Sequence, residues 1–181
     1  MAYEQYGLLS VSQDGRKPTY SAVIIDYVPA ATATDMITLT GSVGKTISIT
    51  EVRINGAATT ATFANVAMYK RSVANTGGTS TATVITRHDS NDILPSGVVL
   101  QYSANPTVGT GTLIRSEHVS FSSAAAGNLV TVWDFANRPS KTVKLYNATE
   151  SIALNFGGAA VPIGSNLHFT IEWTEEFTSV T

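Results

Sequence analysis

Strict alternation of apolar and polar residues is the feature that most constrains this chain, and it is clearest near the C-terminus. Leu167, Phe169, Ile171 and Trp173 alternate with His168, Thr170, Glu172 and Thr174. Successive side chains of a β-strand point to opposite faces of the sheet, so this pattern predicts a strand with one face in a core and one face in solvent.

Similar apolar or alternating runs recur along the chain, separated by turn residues. They predict strands over residues 20–28, 36–39, 46–54, 63–73, 98–102, 113–121, 129–135, 142–146, 151–156 and 166–176. Within 46–54 the apolar phase changes between Ile49 and Val52, which predicts a β-bulge near Thr50 and Glu51. Residues 147–150 are predicted to form a hairpin turn. The best helical candidate, residues 122–126, is one turn at most.

About ten strands without a helix predict an all-β protein, a single antiparallel β-sandwich of jelly-roll or Greek-key type. Residues 1–19 are polar and are interpreted as an extended N-terminal arm, which leaves residues 20–181 for the sandwich domain. Residues 75–95 also look irregular, with only Val84 and Ile85 suggesting a strand. A loop of this length in a compact domain is usually functional or disordered.

Composition excludes several classes of function. The chain has no cysteine, which excludes disulfides, thiolate zinc sites and cysteine nucleophiles. Its net charge is −2 and its densest basic spot is Lys70-Arg71, so we expect no nucleic-acid partner. The longest apolar run, residues 22–25, is far too short to span a bilayer, and the N-terminus lacks the features of a secretory signal. We therefore expect no membrane partner.

The three histidines and their neighbours are the first candidates for catalysis. His118 and His168 fall on the outward faces of predicted strands, and no Gly-x-Ser-x-Gly motif accompanies them. His88 begins the most polar segment, residues 88–92. Its oxygens could bind calcium, but the spacing does not match an EF-hand loop. An Asx-turn, in which Asp89 bonds to its own backbone, is the favoured interpretation.

The remaining candidates also favour structural roles. Glu172, Glu175 and Glu176 cluster near the C-terminus and could supply paired carboxylates, but Glu172 and Glu176, which share a face, are interpreted as exposed strand-end charges that guard a sheet against edge pairing. Trp133 and Trp173 share faces with other apolar residues, which predicts core packing rather than sugar stacking. Residues 75–79 are interpreted as a turn and not a phosphate loop. We therefore expect no catalytic, cofactor-binding or metal-binding residue, no cofactor and no enzymatic activity.

Four segments resemble a family of small virion-associated proteins of tailed bacteriophages. These segments are KRSVANTGGTSTA at residues 70–82, RHDSND at 87–92, YSANPT at 102–107 and IEWTEE at 171–176. The resemblance covers about residues 47–176, and it transfers no catalytic or binding residue. It implies a non-enzymatic structural component of the particle.

Within that family, a capsid decoration (cement) protein is the role we expect. Such a protein stabilises contacts between capsomers, so its implied partners are the major capsid protein and copies of itself, with a closed trimer as one symmetry. The implied location is the virion, after assembly in the host cytoplasm. The alternative is a head-fibre, neck or tail-associated protein, including one that binds host-surface glycans. An enzyme such as a glycan depolymerase would need convergent acids in a cleft.

Overall fold

The computed structural model describes residues 17–123, 130–136 and 141–178. This part of the chain contains twelve β-strands and no helix, as the alternation predicts. The strands are β1 (Thr19–Tyr27), β2 (Asp35–Thr40), β3 (Lys45–Ala57), β4 (Thr62–Arg71), β5 (Thr79–Ala82), β6 (Ile85–Arg87), β7 (Val98–Ala104), β8 (Gly111–Phe121), β9 (Thr131–Asp134), β10 (Lys144–Leu145), β11 (Ser151–Asn155) and β12 (Asn166–Phe177). With no helix there, these residues include no helical span that could cross a membrane.

The strands form two antiparallel sheets, which confirms the all-β class and is consistent with a β-sandwich. The first sheet has the order β10-β3-β12-β1-β6, with β9 also paired to β3. The second has the order β5-β7-β2-β11-β4-β8. One hydrophobic cluster takes side chains from both sheets, so the two sheets share a single core.

Strand pairing between early and late parts of the chain is nested. β1 pairs with β12, β2 with β11, β3 with both β9 and β10, and β4 with β8. The chain therefore doubles back on itself as a long hairpin would, and successive pairs of strands alternate between the sheets. β5, β6 and β7 form an insertion between β4 and β8 that extends both sheets.

The predicted bulge in β3 is confirmed. Glu51 pairs with Glu172 of β12 and Ile49 pairs with Trp173, which leaves Thr50 as the extra residue. A residue inserted into one strand reverses the facing of everything beyond it. The four large apolar side chains of β3 are consequently buried in the core, namely Ile47, Ile49, Val52 and Ile54.

The C-terminal strand β12 also has the predicted facing, but its position in the sheet was not foreseen. Its four inward side chains, Leu167, Phe169, Ile171 and Trp173, are each at most 1% exposed. β12 lies between β3 and β1, at the centre of the first sheet. The prediction that Glu172 and Glu176 guard a sheet edge is therefore wrong, because both neighbouring positions are occupied by strands.

The hairpin predicted around residues 147–150 is also wrong. β10 pairs with β3 in the first sheet, whereas β11 lies between β2 and β4 in the second. The side chain of Asn147 accepts hydrogen bonds from the backbone N–H groups of Thr149 and Glu150. This Asx-turn reverses the chain locally, but a local turn does not determine which sheet the next strand joins.

The segment 75–95 is more regular than predicted. β5 extends the second sheet by pairing with β7, and β6 extends the first by pairing with β1. All four residues of β5 are exposed, so the segment has no buried face and no apolar alternation to reveal it. Three predicted features lie partly outside the described residues: the arm at residues 1–16, the helical candidate at 124–126 and one strand at Leu129.

Candidate functional site on the outer face of the second sheet

The structure does not bring the three histidines together. His88 follows β6, His118 lies on β8 of the second sheet, and His168 lies on β12 of the first. His118 and His168 are exposed, as predicted. The ring of His118 lies 5.0 Å from the ring of Phe63, and His168 Nε2 lies 3.5 Å from Asp26 Oδ1.

The polar segment that follows His88 forms the predicted Asx-turn. The side chain of Asp89 accepts a hydrogen bond from the backbone N–H of Asn91 at 2.8 Å, and the N–H of Asp92 donates to the Asp89 carbonyl at 3.1 Å. Arg87 donates to the carbonyl of Asp92 at 2.7 Å. Local hydrogen bonds thus account for the shape of this loop.

Glu175 has a role that the sequence did not suggest. The residue is 1% exposed, on the face of β12 opposite to Glu172 and Glu176. Its two oxygens accept hydrogen bonds from the backbone N–H groups of Ser96 and Gly97, from the Ser96 hydroxyl and from Trp173 Nε1. The carboxylate therefore holds the start of β7 against the end of β12.

Both tryptophans are core residues, as predicted. Trp133 and Trp173 are completely buried. The ring of Trp173 stacks on Tyr20 at 6.0 Å. Neither indole is available to stack on a ligand.

Tyr20 and Tyr27 each place a hydroxyl inside the protein. Tyr27 Oη donates to the Tyr102 carbonyl at 2.6 Å, and burial raises the pKa of Tyr27 well above its ordinary value. Tyr20 Oη donates to the Ile93 carbonyl at 2.9 Å. Burial is also the main cause that raises the pKa of Tyr20, with smaller contributions from Glu175 and Asp92. Both phenols therefore remain neutral donors at physiological pH.

The basic pair Lys70-Arg71 is not a surface patch. Lys70 lies 3.1 Å from Glu150, while the side chain of Arg71 is only 7% exposed. Arg71 makes a bidentate ion pair with Asp35, Nη2 to Oδ1 at 2.6 Å and Nε to Oδ2 at 3.0 Å. A guanidinium and a carboxylate match in this geometry, which makes such pairs the strongest charge-assisted hydrogen bonds.

Asp35 is the centre of a larger cluster on the second sheet. Asn155 donates to Oδ1 at 2.5 Å and Asn75 donates to Oδ2 at 2.9 Å, so each oxygen accepts two hydrogen bonds. Arg71 and Asn75 also bond the backbone of Gly109. We call Asp35, Arg71, Asn75 and Asn155 the Asp35 cluster. It joins β2, β4 and β11 to the loops at residues 75 and 109.

Glycine is required where these loops cross. A Cβ on Gly109 would lie 1.9 Å from the Val73 carbonyl oxygen, closer than any side chain allows. Gly78 has a φ of +75°, and a Cβ there would lie 2.8 Å from the Ala104 carbonyl oxygen. The turn predicted for residues 75–79 is present as a bend at Gly77 and Gly78, both with positive φ, between the Thr76–Thr107 bridge and β5.

A groove of about 480 Å³ lies beside the Asp35 cluster. Its lining is mainly apolar, with Phe63, Ala67 and Tyr69 from β4, Leu113 from β8 and the loop at 156–160. Asn65, Ser116 and Asn155 supply the polar groups. Phe63 is 63% exposed. Aromatic rings beside amide groups can contact a sugar ring or an apolar side chain.

No cluster of three or more histidine, aspartate or glutamate side chains suited to a metal ion occurs within the described ranges. Comparisons of the chain with protein-family models, with curated proteins and with solved structures found no significant match.

Sequence reasoning missed the Asp35 cluster and the groove. The four residues of the cluster are up to 120 positions apart, and none forms a motif with another. One available signal was Asp35 at the start of an apolar run, since a buried carboxylate needs a partner. A second available signal was the period of two in β4. Phe63 and Tyr69 have the opposite parity to the buried Val66 and Met68, which predicts that they lie on the outer face of the sheet.

Proposed function

We propose that this protein is a non-enzymatic structural component of a tailed-bacteriophage particle, and specifically a capsid decoration protein that bridges capsomers. The proposal takes its direction from the resemblance of four segments to virion-associated proteins. It places the protein in the virion after assembly in the host cytoplasm, with the major capsid protein and copies of itself as partners.

The nested pairing of the strands supports this proposal at the level of architecture. We propose that the sandwich is a jelly roll. Without the insertion β5–β7, and with β9 and β10 counted as one, the strands occupy eight positions along the chain. The first position pairs with the eighth, the second with the seventh, the third with the sixth and the fourth with the fifth. Jelly rolls are common in viral capsid and lectin domains. Fold alone does not assign a function, so the surface has to carry the rest.

The observation that carries the proposal is apolar exposure at unpaired strand edges. β6 covers β1 only over residues 20–22, and beyond this point Val23 and Ile25 are 55% and 65% exposed. On the second sheet, Leu113 and Phe63 are exposed near the edge formed by β8. Free edges with exposed apolar side chains mark surfaces that other proteins cover.

The non-enzymatic part of the proposal rests on how the polar groups are used. Glu175 and Asp35 are buried acceptors with several donors each. His118 and His168 lie on strands of different sheets, and His88 lies in the loop after β6. Glu175 and Asp35 thus use their oxygens to hold segments of the fold together.

Binding to particles that lack this protein tests the proposal. The purified protein should bind such capsids and raise the temperature at which they release their contents. The double variant Val23→Thr, Ile25→Thr should bind less well, while Val43→Thr, at a more exposed valine in a loop, should bind normally. Failure of the wild-type protein to bind capsids would contradict a decoration role.

The groove on the second sheet favours one alternative, a head-fibre, neck or tail-associated protein that binds host-surface glycans. Aromatic side chains in a groove are what such a site needs, and the exposed Phe63 and the half-buried Tyr69 supply them. A glycan array with wild-type protein and Phe63→Ala tests this alternative. A wild-type signal that the variant loses, together with density at the tail tip in a cryo-EM map, would favour it over capsid decoration.

A further inference from the structure

The edge strand β8 differs from every other described edge of the two sheets. β5, β6, β9 and β10 have between two and four residues each, whereas β8 has eleven. Among the described residues β8 pairs only with β4, and eight of its eleven residues are exposed. It contains no proline. β8 has a β-bulge at Ile114 and is regular from Arg115 to Phe121. A long open edge is a template for pairing with another strand, and proteins usually shorten or block such edges.

The side chains of β8 suit one partner in particular. Arg115 and Glu117 lie either side of Ser116. When two copies of a strand pair antiparallel about a two-fold axis, a residue that lies a given number of positions before the axis is opposite the residue that lies the same number of positions after it. With Ser116 on the axis, Arg115 of each copy lies opposite Glu117 of the other. We propose that β8 pairs with β8 of a second copy in this register and joins the two second sheets into one.

Neighbouring registers lack this complementarity. With Arg115 on the axis, two arginines would lie opposite each other, and with Glu117 on the axis, two glutamates would. Opposite charges directly across an antiparallel pair are favourable by roughly 0.2–1 kcal/mol, and like charges are unfavourable. The charges therefore select both the partner and the register.

The facing of the two charges makes the selection stronger. Arg115 and Glu117 pair with Met68 and Val66 of β4, whose side chains enter the core, so both charges lie on the inner side of the sheet. The Arg115 guanidinium lies 5.0 Å from the ring of Phe135. Charges on the inner side of an edge strand oppose pairing with an apolar strand, because that strand would bury them unpaired. A second copy of β8 neutralises both.

This inference does not depend on the virion role, since it concerns the purified protein alone. A closed trimer uses a different kind of contact, in which unlike patches meet and Ser116 does not lie opposite itself. The two assemblies can therefore be separated by a measurement at Ser116.

Cysteine cross-linking supplies that measurement, because the chain has no native cysteine. Ser116→Cys should form a disulfide-linked dimer on mild oxidation, since paired Cα atoms in an antiparallel sheet are about 4.5–5.5 Å apart. Ser120→Cys is the matched control. In this register Ser120 lies four positions from the axis, so two copies of residue 120 are eight positions apart, roughly 27 Å at 3.4 Å per residue. The control should stay monomeric.

Charge exchange gives an independent test by sedimentation velocity. Wild-type protein should sediment as a dimer, and Glu117→Arg should sediment as a monomer because four arginines would meet. Arg115→Glu combined with Glu117→Arg should restore the dimer. A monomeric wild type, a trimer, or cross-linking through Ser120→Cys but not Ser116→Cys would each overturn the proposal.

Discussion

Replacing Asp35 with asparagine tests whether the Asp35 cluster holds the second sheet together. The change keeps the volume of the side chain and removes its charge. Asparagine has one acceptor oxygen, whereas Asp35 uses both oxygens to accept four hydrogen bonds. In either orientation the new amide NH₂ would face two donors, one of them from Arg71.

The expected cost follows from the burial of Arg71. Its guanidinium is 7% exposed and cannot lose its proton, so the substitution leaves a buried cation without a counter-ion. Breaking a buried ion pair in this way costs about 3–5 kcal/mol. For a domain of this size each kcal/mol lowers the melting temperature by about 2–4 °C, so we expect a fall of about 6–20 °C.

Urea unfolding followed by tryptophan fluorescence measures this cost, because both tryptophans are buried and report on the core. Glu176→Gln is the matched control. It makes the same chemical change in an exposed ion pair, with Lys17, and should cost less than about 1 kcal/mol. The double variant Asp35→Asn, Arg71→Met should lose less free energy of unfolding than the two single variants lose in sum, by at least about 1 kcal/mol. A loss for Asp35→Asn no larger than that of the control would refute the reasoning.

Three further predictions concern the first sheet. Glu175→Gln should lower the free energy of unfolding by about 2–3 kcal/mol, since hydrogen bonds to a buried carboxylate are lost; an unchanged urea midpoint would contradict this. Deleting Thr50 should leave unfolding cooperative, because it removes the bulge residue and leaves the buried side chains of β3 in unbroken alternation, whereas deleting Arg53 should abolish cooperative unfolding by turning Ile54 to the outer face; circular dichroism during heating distinguishes them. The pKa of Tyr27 is raised on folding, so its stabilisation is complete below about pH 10 and falls above it, by at most about 1.4 kcal/mol per pH unit. Tyr27→Phe should therefore unfold with a shallower pH dependence between about pH 9 and pH 11; an unchanged slope would show that Tyr27 does not titrate this way.

The properties predicted well are those that depend on a single strand. Whether a residue of β3 or β12 faces the core follows from the period of two, and the position of the bulge at Thr50 follows from the break in that period. Both are local, since the pleat of one strand sets the facing of its own side chains.

The properties predicted poorly depend on which strands are neighbours. Asn147 forms a turn whether the next strand joins the same sheet or the other one, so the sequence indicated a hairpin where the chain crosses between sheets. β5 went unnoticed because strand pairing holds it and no side chain of it is buried.

The sequence by itself determined that the chain is all-β, which face of its main strands is buried, and that the tryptophans belong to the core. Only the tertiary structure decided that Glu175 and Asp35 are buried acceptors, that β12 is central and that β8 is an open edge. The reason is that the energy of a carboxylate or a free strand edge depends on groups far away in the chain. Asp35 meets Asn155 only because the nested pairing places β2 beside β11.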